Sequence, residues 1–318
     1  MTVSAFAVYA GNVISEVTVL ADGATEQILV FDVGGSHIAC AVFGLRDASI
    51  TNVSRIAVNA DGSLEQFAEA LQNVAAQTLP PTSPVMGIAL AMPNPFDYKN
   101  GVSFMKHKYQ HLYGINLRSV ISNRFNCDPA SICFLNDASA FLLGELSHEN
   151  GSKVDRTIGI TLGTGIGSAF GEGGEVVDRG QGVPDGGEIW NLPYRGSIVE
   201  EFISTRGIQT LYYQLTGRWN EVLEIAAAAA EDVRARQTFE LFGHELGKVL
   251  REKCALFAAD RIVLGGGIAK SAALFLDAAE LELKDFPARL AVTRLFDQAP
   301  LLGVGVDWMK RCGSKINQ

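Results

Sequence analysis

The stretch Phe134-Leu135-Asn136-Asp137-Ala138-Ser139 lies where a predicted strand leads into a predicted helix. Residues 132–135 are typical of a short buried strand, and the residues that follow Asp137 are helix formers with apolar positions on one face. In an open α/β sheet, the carboxyl end of such a strand borders the ligand crevice. The start of a helix also favours the ionised form of Asp137. Two interpretations stand: Asp137 caps the helix, or its carboxylate accepts a proton from a substrate hydroxyl.

The composition is that of a chain with about two folded domains. It has 318 residues, of which 47% are hydrophobic and 19% are charged, so a large core can form and disorder is disfavoured. The net charge of −9 argues against a general basic surface for DNA or RNA, although backbone amides can still hold an anionic ligand. We therefore expect a small-molecule partner and no nucleic acid partner.

The cysteines and the hydropathy pattern point to the cytoplasm. The five cysteines are odd in number and have no C-x-x-C spacing, which favours reduced thiols. No apolar run reaches the length that crosses a membrane, and the N-terminus lacks the basic region and cleavage site of a secretion signal. We expect a cytoplasmic protein with no membrane partner.

Two glycine-rich turns, each between two predicted strands, divide the chain into similar halves. The strand, turn and strand are 28–33, Gly34-Gly35-Ser36 and 37–43 in the first half, and 157–162, Gly163-Thr164-Gly165 and 166–170 in the second. In an alignment of the two turns, Gly34 falls on Gly163 and Ser36 on Gly165. The repetition predicts a duplicated α/β architecture.

Each glycine turn has two interpretations. Glycines let backbone N–H groups converge on an anion, and two such turns facing each other would hold a polyphosphate between two domains. Alternatively, each turn is an ordinary hairpin. Asp32 ends the first strand and would face the phosphates, which implies Mg²⁺ bound through water. A third run, Gly265-Gly266-Gly267, either borders an adenosine or allows tight packing of a strand on a helix.

Four motifs in this order resemble those of the ROK (repressor, open reading frame, kinase) sugar kinases, which have the actin-like ATPase fold. They are Asp32-Val33-Gly34-Gly35-Ser36, Leu135-Asn136-Asp137-Ala138, Thr161-Leu162-Gly163-Thr164-Gly165-Ile166-Gly167 and Val263-Leu264-Gly265-Gly266-Gly267. The resemblance extends from about residue 28 to the C-terminus. It implies an α/β, two-domain actin-like ATPase (ribonuclease H-like) fold with a duplicated βββαβαβα-type core.

The resemblance implies roles for the nucleotide-binding motifs. The turns at 34–36 and 163–165 would bind the phosphates of ATP, and 265–267 would border the adenosine. Asp32 would lie near Mg²⁺, and Asp137 matches the catalytic base.

The resemblance also implies a set of sugar ligands. Asn136 matches a residue that binds a sugar hydroxyl. Gly187-Glu188-Ile189 resembles the start of the E-x-G-H sugar motif of the family, which makes Glu188 a sugar ligand. Glu200 matches a later sugar-binding glutamate, and Glu201 competes with it for that register.

The chain departs from the family pattern in its sugar-binding segments. Where the family has the histidine of E-x-G-H, this chain has Trp190-Asn191, and residues 192–196 contain none of the cysteines of the family's zinc loop. A zinc site is therefore not expected, and Asn191 becomes a candidate sugar ligand. Asn94 stands where glycine is usual. The segment Lys106-His107-Lys108-Tyr109 lies where the family contacts the sugar, and it is equally typical of a solvated polar loop.

The resemblance implies a reaction and a domain division. The reaction is transfer of the γ-phosphoryl group of ATP, with Mg²⁺, to a hydroxyl of a hexose, which is glucose or a related hexose or amino sugar. The predicted domains are 1–136, with a C-terminal helix at about 302–318 packing back on it, and 137–301. Because related kinases are often dimers, we expect a homodimer.

Two other functions remain open at this point. Some family members are sugar-responsive transcription regulators, but about 27 residues precede the first strand, which is too few for a helix-turn-helix module. The other alternative is a catalytically weak sensor of a sugar or nucleotide. The altered sugar motif favours a sensor, whereas Asp32 and Asp137 argue against it.

Overall fold

The computed structural model of the chain consists of two units. The structure describes residues 4–5, 17–18, 26–80, 83–106, 108–148 and 156–313. Contacts between Cα atoms assign Met1–Ser147 and Gln298–Gln318 to the first unit and His148–Asp297 to the second. The last part of the chain thus completes the unit that begins at the N-terminus.

The described chain contains strands and α-helices in both units. The strands are β1 (Ser4–Ala5), β2 (Val17–Thr18), β3 (Gln27–Val33), β4 (His37–Gly44), β5 (Ile50–Ala57), β6 (Ile88–Met92), β7 (Phe96–Asp97), β8 (Val102–Ser103), β9 (Ile132–Asn136), β10 (Arg156–Leu162), β11 (Ile166–Glu172), β12 (Glu175–Val177), β13 (Pro193–Tyr194), β14 (Ser197–Ile198), β15 (Arg261–Gly265) and β16 (Arg289–Val292). The α-helices are α1 (Leu64–Thr78), α2 (Leu117–Phe125), α3 (Asp137–His148), α4 (Val199–Phe202), α5 (Thr205–Thr216), α6 (Val222–Ala228), α7 (Val233–Cys254), α8 (Leu276–Glu282) and α9 (Ala299–Trp308).

A five-stranded sheet with the order β5-β4-β3-β6-β9 forms the centre of the first unit. The β3–β4 and β4–β5 pairs are antiparallel, whereas β6 is parallel to both β3 and β9. The parallel register aligns Asp32 with Ala91 and Met92 with Asn136. The carboxyl ends of three strands therefore meet at one edge, where the candidate side chains of this unit begin.

The two faces of this sheet are covered by different helices, because alternate residues of a strand point to opposite faces. Leu29 and Phe31 of β3 share one apolar cluster with residues of α1 and α2. Ile28 and Val30 share another with residues of α9, including the fully buried Trp308. Both faces of β3 are buried, which explains its continuous apolar sequence.

The helices α3 and α9 approach each other through glycines. A methyl group added at Gly303 would lie 2.7 Å from the carbonyl carbon of Ala140 and 2.8 Å from the backbone nitrogen of Gly144. One added at Gly144 would lie 2.8 Å from the carbonyl carbon of Ala299. This close packing keeps α3 in the first unit, whereas the sequence-based boundary at residues 136 and 137 placed α3 in the second.

The second unit repeats the arrangement. Its sheet has the order β12-β11-β10-β15-β16, in which β10–β11 and β11–β12 are antiparallel and β15 is parallel to both β10 and β16. Its apolar core joins this sheet to helices α5 and α7. Three antiparallel strands followed by parallel strands and helices occur in both units, which confirms the predicted duplicated α/β fold class.

The two glycine turns differ by one residue in length. Between β3 and β4, Val33 pairs with Ile38, so four residues lie between the paired positions. Between β10 and β11, Leu162 pairs with Ile166, so three residues lie between them. Gly34 and Gly163 therefore occupy equivalent positions. The expected match of Ser36 with Gly165 requires a gap of one residue in the alignment of the two turns.

Candidate functional site

Asp137 is the first residue of α3 and follows β9 directly. Its Oδ1 atom accepts hydrogen bonds from the backbone N–H of Ala138 at 2.9 Å and from Nδ2 of Asn136 at 3.1 Å. The Oδ1 atom of Asn136 accepts from the backbone N–H of Ser139 at 3.0 Å. Asn136 therefore makes a capping bond at this helix start, and the backbone N–H of Ala138 and the side-chain amide of Asn136 hold the same carboxylate oxygen of Asp137.

The electrostatics of Asp137 differ from the sequence-based expectation. Burial raises the pKa of its carboxyl above the ordinary range of aspartate, and the charge of Lys108 and the hydrogen bonds from Ala138 and Asn136 only partly oppose this. The helix start was expected to favour ionisation, but removal from water outweighs it. A raised pKa makes the carboxylate a stronger base than an exposed aspartate.

Tyr98 connects two candidate sugar ligands of the first unit. Its hydroxyl lies 2.6 Å from Oδ1 of Asn94 and 3.0 Å from the carbonyl oxygen of Met92, and it accepts from Nδ2 of Asn136 at 3.3 Å. The structure thus brings Asn94, Asn136 and Asp137 into one hydrogen-bonded group. Sequence reasoning missed Tyr98, which lies in a segment recognisable only as irregular and aromatic.

The first glycine turn is held by a buried tyrosine. The Tyr109 hydroxyl donates to the carbonyl oxygen of Gly34 at 2.6 Å, and Tyr109 is 1% exposed. Burial and the negative charge of Asp32 raise the pKa of Tyr109, so the hydroxyl remains a donor. A methyl group at Gly35 would meet no atom within 4 Å, so the tip of the turn leaves room for a ligand.

The segment that precedes Tyr109 is only partly described. His107 lies outside the described residues. Lys106 is exposed, with its ammonium 5.3 Å from the centre of the Tyr113 ring. Lys108 is half-buried, and its charge acts on Asp137. This segment therefore contributes a fixed tyrosine and a positive charge beside the other candidate residues of the first unit.

The carboxylate of Glu200 lies against the second glycine turn. Oε2 of Glu200 accepts from the backbone N–H of Ile166 at 3.3 Å, and a methyl group at Gly165 would collide with this carboxylate. On the other side, the backbone N–H and hydroxyl of Thr205 donate to the carbonyl oxygen of Gly163 at 2.9 and 3.0 Å. Glu201 instead pairs with Arg206 at 2.9 Å on the surface. The geometry favours Glu200 over Glu201 as the candidate.

Glu188 is also fixed within the second unit. Its Oε2 accepts from Nε1 of Trp190 at 2.7 Å. The hydroxyl of Ser168 donates to the carbonyl oxygen of Gly187 at 2.7 Å and accepts from the backbone N–H of Ile189 at 3.0 Å, which fastens this segment to β11. Trp190 stands at the position where the family has glycine, and its indole N–H orients the carboxylate of Glu188. Sequence reasoning found this substitution but not the contact.

The segments of Glu188 and Glu200 are joined through the backbone. The N–H of Glu200 donates to the carbonyl oxygen of Trp190 at 3.0 Å. Asn191 follows as an exposed residue. The next residues form the short antiparallel pair β13–β14 where the family has its zinc loop. Across the described ranges, no group of three or more histidine, cysteine, aspartate or glutamate side chains could hold a metal ion.

The third glycine run combines tight packing at one residue with open space at the next. Gly266 has φ of +83°, and a methyl group there would lie 2.7 Å from the backbone nitrogen of Leu162, so it allows tight packing. At Gly267 a methyl group would meet nothing within 4 Å. Gly265 is the last residue of β15 and pairs with Thr161. The open side of Gly267 is the place where a ligand has room.

The described helices include none long and apolar enough to span a bilayer. The described cysteines are all buried and none forms a disulfide. Burial raises the pKa of Cys40 and of Cys254 to about 12, so both are thiols at neutral pH.

One protein-family model matches most of the chain. The ROK family model matches residues 28–304. A protein of Bacillus subtilis (strain 168) named "Putative fructokinase" is 28% identical over 153 residues, which are 45% of this chain and 46% of that protein. The match therefore spans about half the length of this curated relative.

Two solved structures share the fold at low sequence identity. A ROK family glucokinase from Streptomyces griseus, in complex with glucose and AMPPNP, is 20% identical with a TM-score of 0.75, covering 88% of this chain and 98% of that chain. A ROK family transcriptional regulator, a homologue of the E. coli MLC protein, is 18% identical with a TM-score of 0.72, covering 93% and 82%. These likenesses confirm the predicted actin-like ATPase fold.

Proposed function

Because the chain belongs to the ROK family, we propose that it transfers the γ-phosphoryl group of ATP to a hydroxyl of a hexose, which is glucose or a related hexose or amino sugar. The observation that carries this proposal is the half-buried carboxylate of Asp137 at the β9–α3 junction. Ala138 and Asn136 both donate to Oδ1. We therefore propose that the other carboxylate oxygen of Asp137, Oδ2, accepts the proton of the sugar hydroxyl.

The raised pKa of Asp137 suits a general base. Burial moves the pKa towards the pH at which the enzyme would work, and a base is most effective when its pKa lies near the working pH. Removal of the proton accompanies phosphoryl transfer through a loose transition state, so accurate orientation of the acceptor matters more than base strength.

We assign the phosphates of ATP to the two glycine turns. The N–H groups of Gly34 and Gly163 already donate to the carbonyl oxygens of His37 and Gly165, so the candidate donors are those at 35–36 and 164–165. A methyl group at Gly35 or at Gly267 would meet no atom within 4 Å, which leaves open space at each of these glycines. Asp32, a half-buried carboxylate at the end of β3, has the hard oxygen donors that suit water-bound Mg²⁺. When bound, Mg²⁺ would neutralise charge on the transferring phosphate.

Each unit, taken by itself, contains polar groups that we propose as ligands of sugar hydroxyls. In the first unit these are the amides of Asn94 and Asn136, and in the second the carboxylates of Glu188 and Glu200. Fixed carboxylates are acceptors for hydroxyl groups, and the bond from Trp190 keeps Glu188 in one orientation. The exposed Asn191 is a further candidate at the position of the family histidine.

A second candidate function is a sugar or nucleotide sensor with weak catalysis. The observation that favours it is the replacement of the E-x-G-H glycine and histidine by Trp190 and Asn191. The similar fold of a ROK family transcriptional regulator shows that this architecture also serves proteins of that class. A sensor would bind a hexose without consuming ATP.

The test is a coupled assay of ADP release with ATP, Mg²⁺ and a panel of hexoses and amino sugars. Asp137→Asn should lower kcat by about 10²–10⁴-fold, the usual contribution of a general base, while nucleotide affinity stays within about twofold. Asp128→Asn is the matched control, because Asp128 also accepts a backbone N–H, that of Ala130 at 2.8 Å, at the opposite end of β9. The control should keep wild-type kcat.

Two results would contradict this assignment. Near-normal turnover by Asp137→Asn would remove Asp137 as the base. Calorimetric binding of a hexose without phosphorylation of any sugar in the panel would replace the kinase by the sensor.

A further inference from the structure

We propose that Tyr98 is a positioning residue that holds the carboxylate of Asp137 through the amide of Asn136. The proposal rests on the proposed function, in which Asp137 is the general base. It assigns a role to a residue that lies neither in a glycine turn nor in a motif of the family.

Ring packing fixes the position of the Tyr98 phenol. The ring of Tyr98 packs against that of Phe96, with centroids 5.2 Å apart, and Phe96 is 8% exposed. Phe96 packs in turn on the buried Phe134 of β9, with centroids 5.1 Å apart. The hydroxyl of Tyr98 is therefore held by the aromatic core of the first unit.

The hydroxyl has one proton and two lone pairs. It donates to Oδ1 of Asn94 at 2.6 Å or to the carbonyl oxygen of Met92 at 3.0 Å, one at a time. In either case its oxygen accepts from Nδ2 of Asn136 at 3.3 Å. The phenol is thus a constant acceptor for the Asn136 amide.

Three hydrogen bonds then fix the amide plane of Asn136. One N–H goes to Tyr98, the other goes to Oδ1 of Asp137 at 3.1 Å, and the amide oxygen accepts from the backbone N–H of Ser139 at 3.0 Å. Rotation of the amide would break the bonds to Tyr98 and Asp137 together. The phenol therefore secures the donor that orients Asp137.

Loss of the phenol should affect catalysis in a recognisable way. Without its acceptor, the Asn136 amide can rotate, and the donor to Oδ1 of Asp137 weakens. Because this donor lowers the pKa of Asp137, its loss raises that pKa further. The acidic limb of the kcat–pH profile then moves to higher pH. A residue that only packs in the core would lower the melting temperature without moving this limb.

The experiment compares Tyr98→Phe with the wild-type protein, because phenylalanine keeps the ring and removes the hydroxyl. We expect kcat to fall about fivefold to tenfold, the equivalent of one hydrogen bond, with an unchanged KM for ATP and an acidic limb at higher pH. Tyr213→Phe is the control, since Tyr213 lies on the second unit with 45% of its surface exposed. An unchanged kcat–pH profile for Tyr98→Phe, or a loss of kcat with no movement of the limb, overturns the proposal.

A second pair of variants tests whether Tyr98 acts through Asn136. If it does, Tyr98→Phe added to Asn136→Ala should change kcat by less than about twofold beyond Asn136→Ala alone. Additive effects in the double variant overturn the proposal. Asn136→Ala by itself must also shift the acidic limb upward, so the proposal can fail even if Tyr98→Phe does not fold.

A readout independent of activity separates this proposal from the proposed function. The carboxyl carbon of Asp137 is titrated by NMR in protein labelled at aspartate, with Asp137→Asn used to assign the signal. An upward shift of its titration in Tyr98→Phe supports the positioning role even if no sugar is phosphorylated. A titration identical to the wild type overturns it, whatever the kinase assay gives.

Discussion

Replacement of Gly303 by alanine should destabilise the first unit by pushing α9 away from α3. The added methyl carbon would lie 2.7 Å from the carbonyl carbon of Ala140 and still closer to its oxygen. Carbon atoms in contact prefer about 3.5–4.0 Å, so α9 would have to move outward by roughly 1 Å, which forfeits a quarter to a half of the dispersion energy at that contact. The obstructing atoms belong to the backbone and cannot rotate away.

Overpacking of this kind costs about 1–3 kcal/mol, and the rigid backbone contact places Gly303→Ala at the upper end. The higher helix propensity of alanine offsets up to about 1 kcal/mol, which leaves roughly 2 kcal/mol. For a unit of this size we expect the melting temperature to fall by about 4–8 °C.

The assay is thermal and urea unfolding followed by circular dichroism. Gly35→Ala is the control for stability, because the methyl group there would meet no atom within 4 Å. If Gly303→Ala melts together with this control, the glycine contact between α3 and α9 is not as close as described, and the reasoning fails.

Two further predictions concern Asp137 and Tyr109 of the first unit. Because burial raises the folded-state pKa of Asp137, its ionisation destabilises the folded protein as pH rises above the ordinary aspartate value. Asp137→Asn should therefore melt higher than the wild type at pH 7, and the difference should shrink towards pH 4; an equal or lower melting temperature at pH 7 contradicts the raised pKa. Tyr109→Phe removes the donor to Gly34 and should raise the KM for ATP about twofold to tenfold at similar kcat; an unchanged KM separates this hydroxyl from nucleotide binding.

Sequence reasoning succeeded where the signal is local. The strand before Asp137, the glycine turns and the repeated strand order follow from short apolar runs and turn residues, and the structure contains all three. Turn chemistry also acts locally between α4 and α5, where Ser204 caps α5 by accepting from the backbone N–H of Gly207.

Sequence reasoning failed where a side chain depends on distant partners. Tyr98 meets Asn136 across 38 positions, and Glu200 reaches Ile166 across 34. No local pattern encodes these distances. The same is true of the electrostatics of Asp137, since burial is a property of the packed unit and not of the strand-to-helix junction alone.

The place of α9 has a consequence for synthesis on the ribosome. Ile28, Val30 and Ala89 lie on the sheet face that shares a cluster with Leu301 and Trp308. These early residues leave the ribosome before their partners exist, since the whole second unit is translated in between. At about 5–20 residues per second, the delay is roughly ten to sixty seconds. During that interval the nascent chain presents an apolar sheet face, which makes it a natural client for chaperones that bind exposed hydrophobic surface.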